Sequence, residues 1–112
     1  MYLDWKTATI THGAAIVNSS AIDFDEYCDE MLVIAPALDG AGTTLAVQVS
    51  HDGTTYVGLD IIDPGDGSGA AIAIPESTAA VVKLGGAEYV RFVASVAQTA
   101  TDSTIRVKGK KG

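Results

Sequence analysis

Thr44-Leu45-Ala46-Val47-Gln48-Val49-Ser50-His51, then Asp52-Gly53, then Thr54-Thr55-Tyr56-Val57-Gly58-Leu59, is the stretch that decides the fold class of this chain. Apolar and polar residues alternate with period two on both sides of Asp-Gly, and glycine tolerates the positive φ that tight hairpin turns require. The pattern predicts a β-hairpin with Leu45, Val47 and Val49 on one face and Gln48 and Ser50 on the other.

The same period recurs outward from this hairpin. Thr7-Ala8-Thr9-Ile10-Thr11 alternates before Gly13, and Ala21-Ile22-Asp23-Phe24 alternates after the turn signal Asn18-Ser19-Ser20. Met31-Leu32-Val33-Ile34-Ala35 is a continuous apolar run stopped by Pro36, which predicts a core strand covered on both faces. Downstream, Ala70-Ala71-Ile72-Ala73-Ile74 ends at Pro75 and Ala80-Val81-Val82-Lys83-Leu84 ends at Gly85-Gly86. Glu88-Tyr89-Val90-Arg91-Phe92-Val93-Ala94 and Ser103-Thr104-Ile105-Arg106-Val107-Lys108 complete the set. Helical periodicity is confined to a turn near Glu76-Ser77-Thr78-Ala79, and Asp63-Pro64-Gly65-Asp66-Gly67-Ser68-Gly69 reads as a loop. These runs predict an all-β chain: one small antiparallel β-sandwich or jelly-roll-like domain of about eight or nine short strands. It spans residues 1–112, with an N-terminal arm or first strand over 1–12 and a basic strand end and tail over 106–112.

Composition sets the limits. The 112 residues are 47% hydrophobic, with a mean hydropathy of +0.26, as expected of a soluble globular domain. No apolar run reaches the length of a membrane span, and the first residues lack the pattern of a secretory signal. A single cysteine, Cys28, excludes an internal disulfide, so packing alone must hold the fold.

Charge is unevenly spread. Fourteen acids against seven Lys and Arg give a net −7. Arg106, Lys108, Lys110 and Lys111 supply four of the seven cations, which leaves residues 1–105 with three against all fourteen acids. Such a body repels phosphate backbones and argues against nucleic acid. Its cationic end, by contrast, is either a solubilising tail or a segment that docks on an acidic partner or another copy of the same acidic body. Asp23-Phe24-Asp25-Glu26-Tyr27-Cys28-Asp29-Glu30, the densest acidic run, reads as a solvated strand-to-loop corner. Of the seven aromatics, Tyr2 and Trp5 belong to the terminal arm, where amphipathic rings either pack on the chain's own sandwich or anchor onto a neighbouring surface. The candidate partner-contact residues are therefore Tyr2, Trp5, Lys108, Lys110 and Lys111.

Catalytic and cofactor patterns fail on their own terms. No Gly-x-Ser-x-Gly elbow exists, and neither His12 nor His51 has a context placing it beside a nucleophile. Cys28 lies among acids that disfavour its thiolate, so it reads as structural. Zinc spacing is missing, and Gly65, Gly67 and Gly69 open no helix and precede no Lys-Ser/Thr, which removes phosphate cradling. Asp60, Asp63 and Asp66 offer oxygen ligands on a glycine-rich loop but do not follow the EF-hand spacing. No cofactor, no metal and no enzymatic activity is expected.

Thr44 through Tyr56, with Asp52-Gly53 at its turn, resembles the hairpin of small β-sandwich structural proteins in tailed bacteriophage virions. Gly86-Ala87-Glu88-Tyr89-Val90-Arg91-Phe92, followed by the closing Thr104-Ile105-Arg106-Val107, resembles them too. The Tyr-Val-Arg-Phe pattern is also similar to that of galactose-binding-like jelly rolls. The first resemblance implies a non-enzymatic capsid decoration (cement) protein, or a head or tail accessory domain. It would be made in the host cytoplasm and carried on the virion, would contact the major capsid protein or other virion proteins, and would assemble as a homo-oligomer, with a trimer favoured. Neither nucleic acid nor membrane is an expected partner. The alternative is a carbohydrate- or receptor-binding module of a tail or adhesin, using the 60–69 loop with sugar or calcium.

Overall fold

The computed structural model describes residues 2–62, 65, 67 and 69–111, without the side chains of residues 61 and 62. Among these residues every regular element is a strand: β1 (Tyr2–Ile10), β2 (Ile22–Ile34), β3 (Thr44–Ser50), β4 (Val57–Gly58), β5 (Asp60–Ile62), β6 (Gly69–Ala71), β7 (Ile74–Pro75), β8 (Ala79–Ala94) and β9 (Ser103–Lys110). Among the described residues no helix is long and apolar enough to cross a membrane. The main sheet runs in the order β1-β9-β2-β8-β3-β4, with β7 also on β3, and β5 pairs separately with β6. All named pairings are antiparallel.

The all-β architecture is the expected one, but two strands are far longer than the sequence implies. β2 has 13 residues and β8 has 16, and they stay paired from Ile22 with Val90 to Ile34 with Ala79. The acidic run therefore lies within a strand, and Gly85-Gly86 does not end one. Between Asp23 and Cys28, β2 advances five positions against two on β8. From Cys28 to Glu30, β8 advances four against two. These opposed bulges bend both strands at one corner, which is how a continuous sheet turns from one layer of a sandwich into the other. At the corner Asp25 adopts φ 63°, held by its own N–H donating to Asp23 Oδ1 at 2.8 Å, while Gly85 and Gly86 take φ of 65° and 96°. The first layer is β1, β9, the second half of β2 and the first half of β8; the other is the remaining halves with β3, β4 and β7.

One core lies between the layers. Ala8, Ile10, Phe24, Met31, Val33, Leu45, Val47, Phe92, Ile105 and Val107 all have essentially no exposed surface. Residues 18–20 close the far edge. Ser19 N–H donates to Phe92 O at 2.8 Å and Ser20 N–H to Thr9 O at 2.9 Å, joining β8 to β1 in a barrel-like manner.

Turns depart from expectation where side chains take over. Gln48 pairs with Gly58 and Val49 with Val57, so the hairpin after β3 has a seven-residue loop rather than a two-residue Asp-Gly turn. Asp52 Oδ1 accepts from Thr54 N–H at 2.8 Å, Thr55 N–H at 2.9 Å and the Ser50 hydroxyl at 2.9 Å. Gly53 N–H donates back to Ser50 Oγ at 2.9 Å. That network buries Ser50 against its own loop, while Val49, packed against the core, stays only half-buried. Its three hydrogen bonds lower the Asp52 pKa to about 2, with Thr55 N–H the largest contribution. Gln98, also buried, ties two loops together by accepting from Asp39 N–H at 2.7 Å and donating to Val96 O at 3.1 Å.

Candidate interaction surface

A strand inside a sheet presents alternate residues to opposite faces, and the register fixes which of them meet. On the outer face of the first layer, Tyr2 pairs with Lys110, Lys110 with Glu30, and Glu30 with Lys83. The next row is Trp5, Lys108, Leu32 and Val81, and the row after it is Thr7, Arg106, Ile34 and Ala79. Four of the seven cations thus share a face with a single paired acid, Glu30. The rest of the chain holds three cations and thirteen acids.

This face brings together four of the five contact residues expected from sequence. Lys108 Nζ stands 5.4 Å from the Trp5 ring centroid and 5.8 Å from that of Tyr2, and Lys110 Nζ stands 5.6 Å from Tyr2. At exposed sites each such cation–π contact contributes about 0.5–1 kcal/mol, enough to bias the rings to lie under the ammonium groups. The arm is strand β1, and Lys108 and Lys110 belong to β9 rather than to a free tail. Lys111 follows β9 and turns to Glu26, at 3.1 Å. Glu30, mostly covered, accepts from Lys83 at 2.7 Å and has Lys110 at 3.4 Å. The Lys83 hydrogen bond, with help from Lys110, holds the Glu30 carboxyl below the usual range against the opposing effect of burial.

The apolar part of this face went unread. Met31, Val33 and Ala35 are buried, as expected of a core strand, but the opposite face of the same run is open. Ile34 is 39% exposed, Val81, across from Leu32 in the adjoining row, is 62% exposed, and Tyr2 and Trp5 are about half exposed, at 52% and 47%. The expectation that 31–35 is covered on both sides therefore fails within one chain: its inner face packs on the core and its outer face meets solvent. A cavity of about 280 Å³ between Asp60, Ile72 and Val81 extends the surface sideways.

Around the corner lies an acidic counterpart. Lys6 approaches Asp25 at 3.8 Å and Lys111 approaches Glu26, whereas among the described residues Asp23 and Glu88 have no cation within 4 Å. Burial first, then a hydrogen bond to Asp23 and the charges of Asp23 and Asp25, raise the Glu88 carboxyl above its ordinary range. Beside these carboxyls, the two bulges leave a groove of about 350 Å³, lined by Tyr27, Val49, Val57, Leu84, Ala87 and Glu88.

The remaining candidates resolve quietly. Burial pushes the Cys28 thiol up, with Glu26 and Asp29 adding to it, as a structural cysteine requires. His12 Nδ1 lies 2.7 Å from Asp102 Oδ1, and His12 N–H donates to the same oxygen at 3.0 Å, tying the end of β1 to the start of β9. Among the described residues no three His, Cys, Asp or Glu side chains are grouped to hold a metal. Asp63 and Asp66 of the proposed calcium or sugar loop lie outside the described residues; Asp60 opens β5.

No protein-family model matches this chain, and no curated protein matches it in sequence. Among solved structures it is similar to the SPBc2 prophage-derived protein YomS, at 11% identity and a TM-score of 0.56, over 96% of this chain and 95% of that one. It is also similar to part of IMPa from Pseudomonas aeruginosa, solved in complex with an O-glycopeptide, at 15% identity and a TM-score of 0.50. That match covers 97% of this chain and 13% of that one. At these identities the likeness is one of fold, and it joins this sheet arrangement both to a whole prophage-derived chain and to a small part of a larger protein.

Proposed function

We propose that this chain is a non-enzymatic structural protein of a tailed-phage virion, a capsid decoration (cement) protein that stabilises a head through protein–protein interfaces. The observation that carries this reading is the outer face of the first layer, where Trp5, Tyr2, Leu32, Ile34 and Val81 adjoin Lys83, Arg106, Lys108 and Lys110. An apolar centre with aromatic anchors and a charged surround is the composition of a docking patch. The fold shared with a prophage-derived protein supports the phage setting.

Mechanically, the bent strands β2 and β8 run through both layers, so the patch sits on a rigid body and its side chains need little reordering to dock. Association then releases water from the apolar rows, while the lysines steer the approach of an acidic surface and make it salt-dependent. The partners on this reading are the major capsid protein, other virion proteins and further copies of this chain, with a trimer as the favoured oligomer. The test is co-sedimentation of the purified chain with heads of the phage that encodes it. Saturable binding at a fixed copy number, weakened by salt and by Trp5→Ala, is expected. Heads that pellet without the chain at every salt concentration would overturn the reading.

A further inference from the structure

We infer that the outer face of the first layer docks on the acidic corner of a second copy, with Trp5 entering the groove beside Tyr27, as a contact between two unlike surfaces. This rests on reading the outer face as an interface and names its occupant.

Charge selects the occupant. The paired rows of the outer face carry four cations and one acid, with Asp29 also close enough to act on Lys83, and the same face of another copy would set Lys83, Lys108 and Lys110 against their equals. Like charges brought together on desolvation disfavour that symmetric pairing. The corner has the opposite balance, and its Asp23 and Glu88 carboxyls adjoin each other with no cation of their own chain within 4 Å among the described residues. Two carboxylates at one site need a proton or a cation between them, and a lysine from a neighbour supplies the cation.

Shape agrees with charge. The groove of about 350 Å³ has apolar walls in Tyr27, Val49, Val57 and Leu84, and Glu88 is the carboxylate among its lining residues. Trp5 has the matching layout: an apolar ring with Lys108 Nζ at 5.4 Å. Seating the ring in the groove brings that ammonium group toward Glu88. Gly85 and Gly86 leave the groove floor open, since a Cβ added at either would meet no atom within 4 Å. Each copy carries one knob and one hole, so the contact propagates from copy to copy, closing into a ring or running on as a filament.

Three purified samples test this by light scattering over concentration and salt. Wild type should gain mass with concentration and lose it with salt. Trp5→Ala/Lys108→Glu spoils the face, and Tyr27→Ala/Glu88→Gln spoils the corner without offering the new Glu a cation. Each alone should associate at least about tenfold more weakly, the loss expected for a central anchor. Mixed one to one, they should form a dimer of twice the chain mass and nothing larger, because only one intact face and one intact corner can then meet. Unchanged thermal unfolding of each variant confirms that both fold. Wild type that stays monomeric up to about 1 mM, the weak limit of specific contacts, would overturn the inference. So would wild type that assembles while the mixture does not. Co-sedimentation with heads separates the two readings: head binding by wild type that remains monomeric keeps the virion role and removes the second copy as occupant.

Discussion

Strand β9 carries two surfaces whose residues obey different rules. Ser103, Ile105, Val107 and Gly109 point inward and are buried, whereas Thr104, Arg106, Lys108 and Lys110 alternate with them on the outer face. The inner row is fixed by shape. Gly109 is there because a Cβ at that position would stand 2.9 Å from both Cys28 Sγ and Phe24 Cδ1. The outer row is fixed by charge and by what its side chains adjoin across the sheet. On the proposed reading, stability and recognition are written on alternate residues of the same eight, and substitutions should separate them.

The largest effect belongs to the inner surface. Phe24→Ala removes a ring that is 2% exposed, from the place where β2 meets Gly109, and should cost about 3–5 kcal/mol in denaturant unfolding. A cost under about 1 kcal/mol would mean that the core closes around the gap and that the inner row is not governed by shape. Gly109→Ala is next, at about 1–3 kcal/mol, because one methyl group has no room. Adding Cys28→Ala to Gly109→Ala should recover part of that loss, since it clears one of the two side chains the new Cβ meets. Additive costs in the double variant would place the strain in the backbone instead.

Lys108→Glu should do the reverse. It lies on an outer position and gives up only its contacts with the Trp5 and Tyr2 rings, so unfolding free energy should fall by about 1 kcal/mol, while self-association weakens at least about tenfold. A loss of about 3 kcal/mol would show the two surfaces to be coupled.

Part of this comparison was open to a reader of the sequence. Period-two alternation gives the all-β class, and Leu45 and Val47 are buried as their spacing implies. Tyr2, Trp5, Lys108 and Lys110 were recognisable one by one as candidates for contact. Their meeting was not, because it depends on a pairing between β1 and β9, about a hundred residues apart in the chain. Lys83 and Glu30 join the patch through the β2–β8 register, equally hidden. The run 31–35 is legible as a strand, yet an unbroken apolar stretch carries no period to say whether its outer cover comes from the same chain. Gly85-Gly86 read as a stop because glycines usually punctuate strands. Here the opposed bulge on β2 gives their positive φ a place inside one. Gln98 carries no sequence signal, for its role arises only when the loops it ties are already adjacent.

The smallest expected effect concerns an exposed region that draws its order from neither surface. The loop after β3 is shaped by Asp52, whose carboxylate accepts three hydrogen bonds and has its pKa lowered from 3.8 to about 2. Between those values the unfolded chain binds more protons at this site than the folded one, so stability rises with pH across the window. The contribution is complete above about pH 4 and lost as pH falls through about 2, where both states are protonated. Asp52→Asn keeps an acceptor oxygen but removes the charge. The difference in melting temperature between wild type and Asp52→Asn should therefore be largest above pH 4 and shrink toward zero near pH 2. Because the site is exposed and screened, the shift should be small beside that of Gly109→Ala. A difference independent of pH would mean that geometry rather than charge shapes the loop, and that the exposed regions follow the same packing rule as the inner row of β9.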